Sequence, residues 1–72
     1  MEKTEIKIPM VGKVIELKVK VGDPVRKKDV IAVMESMKMK IPIYSIVEGV
    51  VRELNAQVGQ VLNKGHILAV IS

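Results

Sequence analysis

Apolar and polar residues alternate along much of this chain. Ile15, Leu17, Val19 and Val21 alternate with Glu16, Lys18 and Lys20. That period of two predicts a strand over Val14 to Val21 with one buried and one wet face. Glu5 to Ile8 shows the same pattern on a smaller scale, closed by Pro9. A further strand is predicted over Val51 to Val58, where Leu54, Ala56 and Val58 alternate with Glu53, Asn55 and Gln57. Val30 to Met34 is apolar throughout, as a strand at a sheet centre should be. Lys40 to Tyr44 is the next strand, and Pro42 assigns it to an edge. Val25, Val61-Leu62 and Ile67 to Ile71 complete the set. Turns fall at Gly22-Asp23-Pro24, Arg26 to Asp29, Gly59-Gln60 and Asn63-Lys64-Gly65. Residues 1–5 are polar and expected to fray. No segment carries a helical period. The prediction is all-β, with about eight short strands.

The chain repeats itself. Displaced by 37 positions, Gly12 falls on Gly49, Val14 on Val51, Glu16 on Glu53 and Leu17 on Leu54. Val21, Gly22, Lys27, Ala32 and Val33 fall on Val58, Gly59, Lys64, Ala69 and Val70, which makes nine identities over 24 ungapped pairs. Half-repeats of about 12–35 and 49–72 follow. Neither half can bury both its faces alone. Two halves related by a pseudo-two-fold axis can form two four-stranded sheets that cover each other, a flattened barrel or sandwich. In such an object the chain ends lie together on one side and the junction of the halves projects from the other.

That junction is Glu35-Ser36-Met37-Lys38-Met39, a predicted hairpin over about 35–40. Taken alone it reads as a solvated tip, with methionine as a filler of gaps. A hairpin tip, however, has no core for Met37 and Met39 to fill, and exposed thioethers carry a cost unless something contacts them. A rigid frame with one amine at its seam is suited to presenting that amine. If the turn has only two residues, its central positions require positive φ.

Composition narrows the function. Seventy-two residues make one small domain, read as 1–72. There is no cysteine, and the single histidine, His66, reads as a solvated loop residue, so no metal site is visible. The formal charge is +4, with a basic run at Arg26-Lys27-Lys28. Tyr44 is the only aromatic residue, which argues against nucleic-acid binding and for a solvated basic face. Tyr44 itself is expected at an edge with its hydroxyl wet. Glu16 and Glu53 belong to the wet face. Met1 to Glu5 lacks the apolar core of a secretion signal, and no apolar run reaches the roughly 20 residues that span a bilayer. The expectation is a soluble cytoplasmic protein without membrane contact. Without an acid–base pair, activated nucleophile or metal, it is expected not to be an enzyme.

The chain resembles the biotinyl/lipoyl attachment domain family from Ile8 onward, and most closely its biotin branch. Pro9-Met10-Val11-Gly12 resembles the opening motif of that branch, Val21-Gly22-Asp23 its first turn, and Glu35-Ser36-Met37-Lys38-Met39 its attachment motif. The resemblance implies a flattened barrel and a biotin joined by an amide to the ε-amine of Lys38. It implies that Glu35, Ser36, Met37 and Met39 are read by a biotin protein ligase and by later partners. Those partners are a biotin carboxylase and a carboxyltransferase, between which the arm shuttles a carboxyl group. Ser36 stands where many members carry alanine, and Lys40 replaces a residue often acidic or apolar. The lipoyl branch typically has aspartate directly before the lysine, whereas this chain has Met37; Glu35 occurs in both. A lipoyl carrier of a 2-oxo acid dehydrogenase complex and an unmodified β-sandwich adaptor are the alternatives. Lys13, Lys18, Lys20, Lys27, Lys28 and Lys64 are competing amines without methionine neighbours.

Overall fold

Strands form where β-branched residues recur and stop where glycine, proline and asparagine intervene. A computed structural model of the protein describes residues 2–72. Eight strands run in chain order: β1 (Thr4–Lys7), β2 (Gly12–Leu17), β3 (Pro24–Val25), β4 (Val30–Ser36), β5 (Met39–Tyr44), β6 (Gly49–Leu54), β7 (Val61–Leu62) and β8 (Ile67–Ile71). Among the described residues there is no helix, and so none long and apolar enough to cross a membrane.

The strands form two antiparallel four-stranded sheets, ordered β1-β8-β6-β3 and β5-β4-β2-β7. The all-β flattened barrel expected from the pattern is what is found. β4 is interior and β5 is an edge carrying Pro42, as their compositions predict. Thr4 pairs with Ile71, so the two ends of the chain lie together in one sheet, while the β4–β5 hairpin belongs to the other.

The repeat accounts for the topology. Moving each strand by 37 positions takes β2 onto β6, β3 onto β7, the first five residues of β4 onto β8, and all of β1 onto the last four residues of β5. The same operation converts one sheet order into the other. The halves interleave, each supplying two strands to each sheet. Backbone hydrogen bonds obey the same symmetry. Gly22 N–H donates to Val51 O at 2.8 Å, and Gly59 N–H to Val14 O at 2.7 Å. Lys20 N–H donates to the Asp23 carboxylate at 3.0 Å, and Gln57 N–H to the Gln60 side-chain oxygen at 3.1 Å. Asp23 and Gln60 differ in sequence but supply the same acceptor to equivalent turns.

Two expectations need correction. Thr4 and Glu5 do not fray, because both belong to β1 and pair with β8; Met1 lies outside the described residues. The long strands are also shorter than their periodicity suggests. β2 ends at Leu17 and β6 at Leu54, and Val21 and Val58 are 60% and 62% exposed. Each strand carries a register shift, between Val14 and Glu16 and between Val51 and Glu53, pairs with its own sheet as far as Lys18 and Asn55, and then turns so that Gly22 and Gly59 bond the opposite sheet. Leu17, Val19, Leu54 and Ala56 still pack on the core; the next valine is past it.

Ile31, Met34, Leu68, Ile71, Val14 and Val51 are almost wholly buried. They are three symmetry-related pairs, so the interior is built twice from the same sequence positions. Burying each such aliphatic side chain contributes about 1.5–3 kcal/mol, set against the entropy of ordering the chain.

One symmetric pair is unequal. Gly65 adopts φ 88° and its counterpart Lys28 adopts φ 79°, and each donates a 2.8 Å backbone hydrogen bond, to Ile8 O and Ser45 O respectively. A side chain in this left-handed region is strained. Lys28→Gly should raise the unfolding free energy by about 0.5–1 kcal/mol, the relief of strain less the extra entropy of glycine. Gly65→Ala should lower it by about 1 kcal/mol. Urea titration of both variants at unchanged m-value checks the pair.

Candidate functional site

The hairpin joining β4 and β5 is held by an unbroken register near its tip: Met34 opposite Ile41, Glu35 opposite Lys40, Ser36 opposite Met39. Only Met37 and Lys38 remain for the turn. They adopt φ 53° and 65°, the positive pair that a two-residue hairpin of type I′ requires. Asparagine and glycine take these angles readily; methionine and lysine take them at a cost on the order of 1 kcal/mol each. The strand pairs below the turn sustain that strain and fix a single backbone path at Lys38.

The side chains sort by strand alternation. Met34 and Ser36 point inward, at 1% and 7% exposure, while Glu35 points out. Ser36 therefore supports the turn from beneath. Met37 and Met39 are 84% and 67% exposed, and Lys38 between them is exposed as well. Glu35, Met37, Lys38 and Met39 are thus all exposed, with Glu35 on the face it shares with Lys40, Met39 on the face it shares with Ser36, and Ser36 buried below the turn. Glu35 sits opposite Lys13 on one side and Lys40 on the other. Among the described residues the ion pairs are Lys7–Glu5 and Lys18–Glu16, and neither involves Lys38. The Lys38 amine is free of a carboxylate partner and open to solvent.

Gly12 is a contributor that the periodicity does not reveal. A Cβ there would lie 2.7 Å from Glu35 O, 2.7 Å from Met34 Cε and 3.3 Å from Ser36 Cβ. Only a bare backbone lets β2 lie this close to the base of the hairpin. A Cβ on its repeat partner Gly49 would likewise lie 2.8 Å from Ser72 O. The glycine-on-glycine match in the repeat was the available signal.

The other weighed residues lie elsewhere. The His66 ring is not simply solvated: half-buried, it donates from Nε2 to Asn55 O at 2.7 Å and ties its turn to the end of β6. Among the described residues no three His, Cys, Asp or Glu side chains cluster to hold a metal. Lys28 also stands at a positive φ, but its neighbours are Lys27 and Asp29, without an exposed methionine.

The site is thus an exposed lysine without an ion-pair partner, set on a strained two-residue turn of a β barrel. The chain belongs to the biotin/lipoyl attachment domain family: the family model described as "Biotin-requiring enzyme" matches residues 4–71. A biotinylated protein TB7.3 homologue of Mycobacterium leprae is 40% identical over 68 residues, covering 94% of this chain and 96% of its own. Pyruvate carboxylase 1 of Caenorhabditis elegans is 40% identical over 60 residues, 83% of this chain but 5% of that enzyme. In the crystal structure of Kluyveromyces lactis urea carboxylase a segment superposes on the whole of this chain with TM-score 0.92. That segment is 6% of the enzyme and 22% identical, a likeness of fold.

Proposed function

We propose that this protein is a biotin carboxyl carrier with biotin joined to Lys38. The observation that carries the reading is the free Lys38 amine at the crest of the turn, between the exposed Met37 and Met39. The residues fit the group. A primary amine on a fixed backbone, once deprotonated, can attack the carbonyl carbon of an acyl-adenylate that a ligase has made from biotin and ATP with release of pyrophosphate, forming the amide as AMP leaves. Glu35, Met37 and Met39 would be read by the biotin protein ligase, with Ser36 holding the turn in shape.

Bound biotin supplies a ureido nitrogen that accepts and releases a carboxyl group. The chain's own contribution is positional. The rigid hairpin fixes the root of a long flexible arm, and the lysine stem gives it reach. A biotin carboxylase would load the arm and a carboxyltransferase unload it. Tethering makes the second encounter effectively intramolecular, with a local concentration of order millimolar. The methionines offer an apolar, uncharged collar that adapts to more than one partner. No catalytic step is assigned to this chain.

Amide formation removes one positive charge. The formal charge should fall from +4 to +3. After incubation with ligase, ATP and biotin, the isoelectric point should move down by one charge state. An unmoved or upward-shifted band would contradict the reading.

A further inference from the structure

The two halves agree at the core positions and differ at many surface ones, and one of those differences leaves an exposed apolar pair. Tyr44 and Ile46 are 49% and 60% exposed, and 37 positions earlier stand Lys7 and Pro9. Tyr44 and Ile46 form a ridge between two shallow hollows. One, of about 480 Å³, is lined by Lys27, Lys28, Tyr44, Ser45 and Ile46. The other, of about 410 Å³, lies where the edges of β1 and β5 meet, over Ile6, Pro9, Pro42 and Ile43, with Glu5 and Lys7 also lining it. The surfaces of both hollows are mostly apolar. Folding does not call for an exposed tyrosine and isoleucine at these positions, since the other half has Lys7 and Pro9 in their place.

Lys28 is the second departure, on the same flank. It retains a strained φ of 79° where the other half uses Gly65. The positive φ serves the turn, whose Lys28 N–H reaches Ser45 O, but glycine would meet that need with less strain. The lysine instead adds a second basic side chain, beside Lys27, to the lining of the first hollow.

We propose that Tyr44, Ile46, Lys27 and Lys28 form a docking surface for a protein partner that presents an apolar side chain flanked by carboxylates. The proposal rests on the carrier reading, and the partner is the biotin carboxylase that loads the arm. Charge complementarity selects the partner's chemistry: two cations border an apolar hollow, and an aromatic ring at its edge is a typical anchor. Position supports it. Tyr44 ends the strand that Met39 begins, roughly 17 Å away at strand spacing. A partner gripping this flank leaves the turn and its arm free to enter an active site.

The test is steady-state carboxylation of biotin-loaded carrier by the organism's own biotin carboxylase, with ATP and bicarbonate. Loading of each variant is first matched by intact mass. The double variant Tyr44→Ser/Ile46→Ser should raise KM about tenfold with kcat unchanged. Lys28→Gly should raise KM about threefold or more even though it makes the barrel more stable, a combination that a purely structural lysine would not give. Lys64→Ala, at the position equivalent to Lys27 on the other flank, should leave KM unchanged. Variant KM values within about twofold of the parent, or an equal rise for Lys64→Ala, would overturn the surface. A loaded parent protein that is not carboxylated at all would overturn the carrier reading, and this surface with it.

Discussion

Lys38→Ala is expected to reduce avidin-detectable labelling by a biotin protein ligase to background, while Lys40→Ala remains labelled. The expectation follows from geometry before chemistry. Lys38 is one of only two residues in the turn, and its φ of 65° directs the backbone into a single path. Lys40 is two residues away and also follows a methionine, but it is bound into β5 opposite Glu35. Lys38→Arg sharpens the test. It retains the positive charge and a long stem, but a guanidinium stays protonated and is not available as a nucleophile. Labelling should be lost in Lys38→Arg as completely as in Lys38→Ala. Retained labelling in either would move the acceptor to another of the chain's lysines.

Gly12→Ala should destabilise the barrel by about 1–3 kcal/mol and impair the hairpin with it. The added methyl would meet Glu35 O and Met34 Cε, both at 2.7 Å. Met34 is a flexible side chain, but at 1% exposure it has nowhere to go, and Glu35 O is backbone one residue before Ser36. The strand must therefore move, and the strained turn above it moves too. Gly49→Ala provides the control. Its methyl would meet Ser72 O at 2.8 Å and Ile71 Cγ2 at 2.9 Å, in the other sheet and away from the β4–β5 turn. Both variants should lose stability in urea, but at a temperature where both remain folded only Gly12→Ala should be labelled more slowly. Equal labelling rates would show that the hairpin does not depend on this contact.

The sequence carried the fold because the chain states its pattern twice. Period-two alternation located the strands, and the 37-residue repeat indicated how they assemble, since equivalent positions such as Val14 and Val51 must take equivalent places. What periodicity could not show was where a strand ends. Val21 and Val58 continue the alternation but lie beyond a bulge, and a bulge leaves no mark in a pattern of apolar residues. Nor could it show that Thr4 and Glu5 are held, because their pairing partner is more than 60 residues away in β8.

The geometry of the β4–β5 hairpin was legible to a similar depth. The position of Met37-Lys38-Met39 at the seam follows from the repeat, and the positive φ of the turn follows from its length. That Ser36 points inward follows from strand alternation only once the register is known. The close approach of Gly12 and the strain at Lys28 depend on distances and angles between segments remote in sequence. In hindsight both are marked in the repeat, one by a glycine that is kept and one by a glycine that is missing.

The most direct measurement is site-resolved mass spectrometry of the protein after reaction with a biotin protein ligase, ATP and biotin. A single biotinyl group is expected, on Lys38 alone, with every other lysine unmodified. A chain left unmodified, or one carrying the group on a different lysine, would contradict the account; so would a lipoyl rather than a biotinyl group on Lys38 in protein purified from its own cells.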